Sequence, residues 1–143
     1  MSIYLQELPE RFKDRTTDAS AKNLSKNRYP DIRAYDQTRV KLSTADGGSD
    51  YINANFVMGY EEHKKFICAQ GPMESTVVDW WRMIWEQRVH LLIMLTNIEE
   101  YSKTKCAKYW PSEGSSEYGS ITVTHMSEKR YSGEALDPIF TCP

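Results

Sequence analysis

Two adjoining stretches decide the fold class: Ser75-Thr76-Val77-Val78-Asp79-Trp80-Trp81-Arg82-Met83-Ile84-Trp85-Glu86-Gln87-Arg88, and directly after it Val89-His90-Leu91-Leu92-Ile93-Met94-Leu95. In the first, Val77, Trp81, Ile84 and Trp85 recur at helical spacing and lay an apolar stripe along one face, which a sheet must cover. Ser75 or Thr76 caps that helix, and Asp79 favours the same start. The second stretch is apolar at nearly every position. Such a run reads as a strand buried on both faces in a parallel arrangement.

Working outward, Asp50 to Val57 alternates, with Ile52, Ala54 and Phe56 on one side and Tyr51, Asn53 and Asn55 on the other. That period of two predicts a strand, entered from the Asp46-Gly47-Gly48-Ser49 turn. Lys65 to Ala69 is a second strand, stopped by Gly71-Pro72, and Lys105–Trp110 and Gly119–Met126 are further ones. Residues 3–14 predict a short helix interrupted at Pro9, and residues 16–22 an irregular polar segment. Strands before and after a helix give an α/β (α+β) architecture.

The chain has 143 residues, enough for one domain with a core. A net charge of −2 gives no global basic field, so nucleic acid and anionic lipid are not expected partners. Three cysteines, an odd number, form neither a disulfide framework nor a zinc set. His63, His90 and His125 form no cluster, so neither metal nor cofactor is expected. No signal peptide is visible, and the run from Val89 to Leu95 is far short of the ~20 residues that span a bilayer. A cytoplasmic protein with reduced thiols is the expectation, and the Asn23-Leu24-Ser25 sequon is read as unused.

Five segments go beyond secondary structure: Lys26-Asn27-Arg28-Tyr29-Pro30-Asp31, Asp50-Tyr51-Ile52-Asn53-Ala54-Asn55, Gln70-Gly71-Pro72, Trp81-Arg82-Met83-Ile84-Trp85-Glu86-Gln87 and Lys105-Cys106-Ala107-Lys108-Tyr109-Trp110-Pro111. In order and spacing they resemble the N-terminal half of a protein-tyrosine phosphatase catalytic domain. Asp36-Gln37-Thr38-Arg39-Val40 and Thr96-Asn97-Ile98-Glu99-Glu100-Tyr101 make the resemblance closest to the receptor-type branch, and Trp80 stands where that family usually has phenylalanine. The resemblance implies a twisted mixed β-sheet flanked by helices, and phosphotyrosine proteins as substrates. In a longer isoform, it implies the intracellular part of a membrane receptor.

The resemblance also implies roles. Tyr29 would wall a deep cleft and stack on the phosphotyrosine ring, an aromatic pairing that contributes ~0.5–1.5 kcal/mol beyond buried area. Asp31 would accept hydrogen bonds from the substrate backbone. Glu100 would hold the phosphate-binding arginine, and Lys105 would approach the loop carrying the acid. Cys106 would be a buried structural thiol; Asn53, Gln70 and Trp110 would be framework. Read without the family, Tyr29 is a loop tyrosine, Asp31 a turn residue, and Glu100 and Lys105 a solvated charged turn.

The chemistry itself has no residues in this sequence. It needs a low-pKa cysteine, an arginine six positions on within a ring of backbone N–H groups, and an aspartic acid on a Trp-Pro-Asp loop. Six positions after Cys68 is Glu74, six after Cys106 is Ser112, and Cys142 has only Pro143 behind it; Trp110-Pro111 is followed by Ser112. A partial phosphatase domain over residues 1–133, with a divergent tail over 134–143, is therefore expected, without catalytic residues and without activity alone. With its family partner strand missing, Val89–Leu95 would be an open sheet edge. That predicts a partly folded or aggregation-prone chain, and allows a binding or dimerisation module as the alternative.

Overall fold

The computed structural model describes residues 15–45, 47–59, 65–130 and 136–141, with backbone alone at 65, 130 and 136–141. The predicted helix within residues 3–14, Asp46 of the predicted turn, His63 and Cys142 lie outside the described residues. The chain divides into two units, Met1–Gln70 and Gly71–Pro143.

The first unit carries a short helix α1 (Asp18–Ala21), a 3-10 turn at Leu24–Lys26, and strands β1 (Arg39–Lys41), β2 (Tyr51–Met58) and β3 (Lys65–Ala69). The strands form one antiparallel sheet in the order β1-β2-β3, with Ala54 opposite Ala69 and Met58 opposite Lys65. Both predicted strands are present. Tyr51, Ile52, Asn53 and Ala54 are all buried, so the start of β2 is covered on both faces, and the expected alternation does not separate a wet side from a dry one there. Val40, Leu42 and Ala34 complete this core.

Helix α1 corrects the reading of residues 16–22 as irregular. Its exposed N–H groups are capped from a distance: the Asp36 carboxylate accepts from Asp18 N (2.6 Å), Ala19 N (3.0 Å) and the Thr16 hydroxyl (2.7 Å). A cap supplied from seventeen to twenty positions away leaves no local signature.

In the second unit, a 3-10 turn (Glu74–Thr76) leads into α2 (Val77–Glu86). Here the Thr76 hydroxyl accepts the Met73 N–H at 2.9 Å and does not cap the helix. The helix ends where Arg88 enters the left-handed region (φ 51). Arg88 N–H then reaches Trp85 O and Val89 N–H reaches Ile84 O, a Schellman closure made without glycine. The stripe Val77, Trp81, Ile84 is buried, packed with Cys106, Ala107, Tyr109 and Val123. Trp85 is a correction: it is 52% exposed, and Met83 is buried. Trp81 Nε1 donates to Tyr109 O at 2.6 Å, whereas the buried Trp80 Nε1 has no acceptor among the described residues.

Two further corrections concern strands. Residues 89–95 run without strand pairing, and all described ladders are antiparallel, so the parallel strand expected there is not formed. Leu92 and Met94 pack against the core, while Leu91, Ile93 and Leu95 are 76%, 70% and 94% exposed. Apolarity alone did not make a strand because a strand also needs a ladder partner. Nor is Lys105–Trp110 a strand. Its amides go elsewhere, Lys105 N and Cys106 N to Ile98 O and Ala107 N to Pro72 O, while Cys106, Ala107 and Tyr109 still enter the core.

The remaining strands are a two-pair hairpin, β4 (Glu99–Glu100) with β5 (Lys103–Thr104), and an antiparallel sheet of β6 (Ser115–Tyr118), β7 (Ile121–Arg130) and β8 (Leu136–Thr141). The predicted strand over Gly119–Met126 corresponds to β7. Gly119 (φ 64) makes the β6–β7 turn, and a Cβ there would sit 3.0 Å from Val78 Cγ1. Gly71 is needed for space: a Cβ would lie 2.6 Å from Lys105 O. Mixed α/β structure, as expected, is what the chain has.

Candidate functional site

In the first unit, the segment from Lys26 to Ile32 forms an exposed turn whose backbone is pinned by buried or half-buried amides. Gln70 Oε1 accepts from Arg28 N at 2.9 Å, and Gln70 Nε2 donates to Lys26 O at 2.9 Å. Asn53 Nδ2 donates to Ile32 O at 2.8 Å and to Gln70 Oε1 at 3.0 Å. Asn27, buried, donates to Ser20 Oγ at 2.9 Å and accepts from the Tyr51 hydroxyl at 2.6 Å. Burial pushes the Tyr51 hydroxyl up from its ordinary pKa, which keeps it a donor.

These bonds fix the backbone on either side of Tyr29 and leave the outer side chains exposed. Tyr29 is 40% exposed and Asp31 is exposed two residues on, at a turn closed by Ile32 N–H to Tyr29 O. Arg33 Nε donates to Pro30 O at 2.7 Å, fastening the far side. The structure thus brings Tyr29 and Asp31 together on one held turn. An aromatic face and a carboxylate so presented can stack on a ring and accept peptide N–H groups. Asn53 and Gln70 act as framework by direct bonds to that turn. Sequence reasoning missed Asn27, Ser20 and Tyr51; the one signal available was Asn27 lying inside the same segment as Tyr29.

In the second unit, Glu100 and Lys105 lie at the β4–β5 hairpin. The Glu100 carboxylate accepts from Asn97 N at 3.1 Å and the Thr96 hydroxyl at 3.0 Å. Those two bonds, the Asn97 N–H first, hold its pKa below the ordinary carboxylate range, with the charge of Lys105 a smaller contribution. Glu100 is therefore occupied locally, bracing the 96–97 turn, and pairs with Lys105 only through space. Tyr101 and Ser102, at the hairpin tip, both have positive φ (51 and 58), the geometry of a two-residue turn of the I′ kind.

Cys106 is buried within the core and its Sγ–H points to Ala107 O at 3.3 Å, as a packed structural thiol does; Cys68 is exposed on β3. Burial also pushes the Tyr109 hydroxyl well up, with Cys106 adding to it. Among the described residues no group of three or more His, Cys, Asp or Glu is placed to hold a metal ion, and no helix is long and apolar enough to cross a membrane.

Comparison with known proteins agrees with this architecture. The family profile described as protein-tyrosine phosphatase matches residues 23–139. The chain is 60% identical over 129 residues to Tyrosine-protein phosphatase 69D of Drosophila melanogaster, covering 86% of this chain and 9% of that protein. It is 51% identical over 113 residues to the human receptor-type tyrosine-protein phosphatase alpha, covering 76% of this chain and 14% of that protein. The solved catalytic domain of human protein tyrosine phosphatase non-receptor type 18 superposes with a TM-score of 0.82 at 32% identity, over 96% of this chain and 55% of that one. The chain thus spans about half of that solved domain and a small part of the curated relatives. By profile, by sequence and by fold, the chain belongs to the protein-tyrosine phosphatase family.

Proposed function

We propose that these residues supply the phosphotyrosine-recognition wall of a receptor-type-like protein-tyrosine phosphatase. Tyr29 stacks on the substrate ring and Asp31 takes the substrate backbone N–H groups. Glu100 and Lys105 support the loops that carry the chemistry. The family reaction is hydrolysis of phosphotyrosine in proteins through a cysteinyl-phosphate intermediate. The carrying observation is the turn around Tyr29: its backbone is fixed by Gln70 and Asn53, while Tyr29 and Asp31 face outward.

Because no cysteine in these 143 residues has an arginine six positions on, the chain taken alone does not turn over phosphoester. The test is incubation with a small aryl phosphate. Release of phenolate at the rate of a heat-inactivated control is expected, and turnover above it sinks the claim. Phosphopeptide affinity checks the wall: with no phosphate cradle, phosphorylation of the tyrosine should tighten binding less than tenfold, while removing Tyr29 should weaken it.

A second reading, a non-catalytic binding or dimerisation module, is favoured by one observation. Leu91, Ile93 and Leu95 are exposed on a segment that forms no ladder among the described residues. Backbone without a ladder partner, carrying exposed apolar side chains, is a template for pairing with another chain. Co-purification with a full-length relative, abolished by Ile93→Lys, is the expected result. A monodisperse, reversibly melting monomer would remove this reading.

A further inference from the structure

The hairpin tip presents a feature that recognition at Tyr29 does not use. Tyr101 is 95% exposed, more than any other described tyrosine. No described residue bonds its hydroxyl. Glu99 and Glu100 precede it directly. The β4–β5 ladder that carries it is only two pairs long, Glu99 opposite Thr104 and Glu100 opposite Lys103. Tyr101 and Ser102 both occupy the left-handed region, which a bulky side chain rarely adopts. A ladder this short, bent at a strained tip, opens locally far more readily than the sheets on either side of it. Opening yields an extended acidic segment ending on a fully exposed phenol.

We propose that Tyr101 is a phosphate-acceptor site for a tyrosine kinase whose peptide cleft is basic on the N-terminal side of the acceptor. Glu99 and Glu100 supply the charge complementarity that such a cleft reads. In the transfer, Tyr101 Oη attacks the γ-phosphorus of ATP. The new O–P bond forms as the bond to the β–γ bridging oxygen breaks, ADP leaves, and the phenolic proton passes to the kinase base. The product places a phosphate of about −1.5 to −2 charge beside two carboxylates, which weakens the β4–β5 ladder by like-charge repulsion. The inference stands apart from phosphotyrosine recognition at Tyr29.

The test measures initial rates of phosphorylation by mass spectrometry, using the full chain, ATP and a broad-specificity tyrosine kinase domain. Two free peptides, residues 95–107 and 23–35, are run in parallel. They report what local sequence alone gives Tyr101 and Tyr29. In the chain, the Tyr101-to-Tyr29 rate ratio should be at least three times the ratio in the peptides, and Glu99→Gln should lower the Tyr101 rate severalfold in both forms. Any smaller ratio in the chain overturns the proposal, as does a Glu99→Gln variant phosphorylated at the parent rate. Tyr101→Phe, which must abolish the assigned signal, guards the assignment.

Discussion

The Tyr29 turn and the Tyr101 turn are both exposed, and each carries a tyrosine beside a carboxylate, yet they are held in different ways. Around Tyr29 the backbone is gripped by side chains distant in sequence: Gln70 reaches back 42 residues to Arg28 and Asn53 reaches back 21 to Ile32. Around Tyr101 the bonds are local, with Glu100 bracing Thr96 and Asn97, four and three positions away. Long-range grips position a side chain against the whole unit, whereas local ones fix only the turn itself. Geometry that must meet a substrate calls for the first kind; a segment that opens for another enzyme needs only the second.

The sharpest way to break that contrast is Gln70→Ala. It removes the Oε1 that accepts from Arg28 N–H and from Asn53 Nδ2, and the Nε2 that donates to Lys26 O, each a half-buried bond worth ~0.5–1.5 kcal/mol. The expected loss is ~2–4 kcal/mol in the first unit, and amide exchange at Arg28 should rise by at least two orders of magnitude. Exchange at Asn97 should not move. If both turns loosen equally, the grip is not local to the first unit. Next comes Tyr51→Phe, which deletes the 2.6 Å bond to Asn27 and leaves its Oδ1 buried and unsatisfied. A cost of ~1–3 kcal/mol is expected, with Asn27 side-chain amide exchange as the direct reporter.

Asp36 and Glu100 make the comparison in acid form. Each carboxylate accepts a threonine hydroxyl and a backbone N–H, but Asp36 ties α1 to a distant loop. Its pKa is lowered, first by the Thr16 hydroxyl and then by the Ala19 N–H. A carboxyl depressed in the folded state contributes stability above its unfolded pKa and loses it as pH falls through the folded value. Asp36→Ala at neutral pH should cost ~0.5–2 kcal/mol, the usual value of a helix N-cap. Protection of the Asp18 and Ala19 amides, relative to their intrinsic exchange rates, should fall severalfold in the parent chain as pH drops well below ~4.

Much of this was legible in the sequence, and what was not has physical causes. The β2 and β3 strands, the α2 helix and the turn with Tyr29 follow from period, punctuation and family resemblance. Trp85 was misplaced because its offset from Trp81 satisfies helical spacing while the core lies around Val77, Trp81 and Ile84, so the stripe is narrower than the pattern allowed. Residues 89–95 misled because an apolar run signals burial, not pairing; of its seven residues Val89, Leu92 and Met94 meet the core of their own unit. The segment Lys105–Trp110 buries its side chains as a strand would, but its amides answer to Ile98 and Pro72. No single-residue property encodes where a carbonyl thirty-five positions away will lie. For the same reason, the Asn27–Tyr51 bond and the Asp36 cap were invisible.

The smallest expected effect is the most telling for the second turn. Glu100 has a folded-state pKa below the ordinary range, set first by the Asn97 N–H and then by the Thr96 hydroxyl. By the same linkage its bracing is fully present above the unfolded value near ~4.3 and fades as pH falls through the folded one. Because the carboxylate is solvated, the change should register only locally: lower protection of the Asn97 amide, relative to its intrinsic rate, in acid, with no shift in the midpoint of global unfolding that Asp36 does not already explain. Glu100→Gln should reproduce that loss of protection at neutral pH, since an amide oxygen accepts the same N–H more weakly than a charged oxygen does. If Glu100→Gln instead destabilised the second unit as a whole, Glu100 would be a structural anchor of the Gln70 kind, and the division between a held turn and a loose one would collapse.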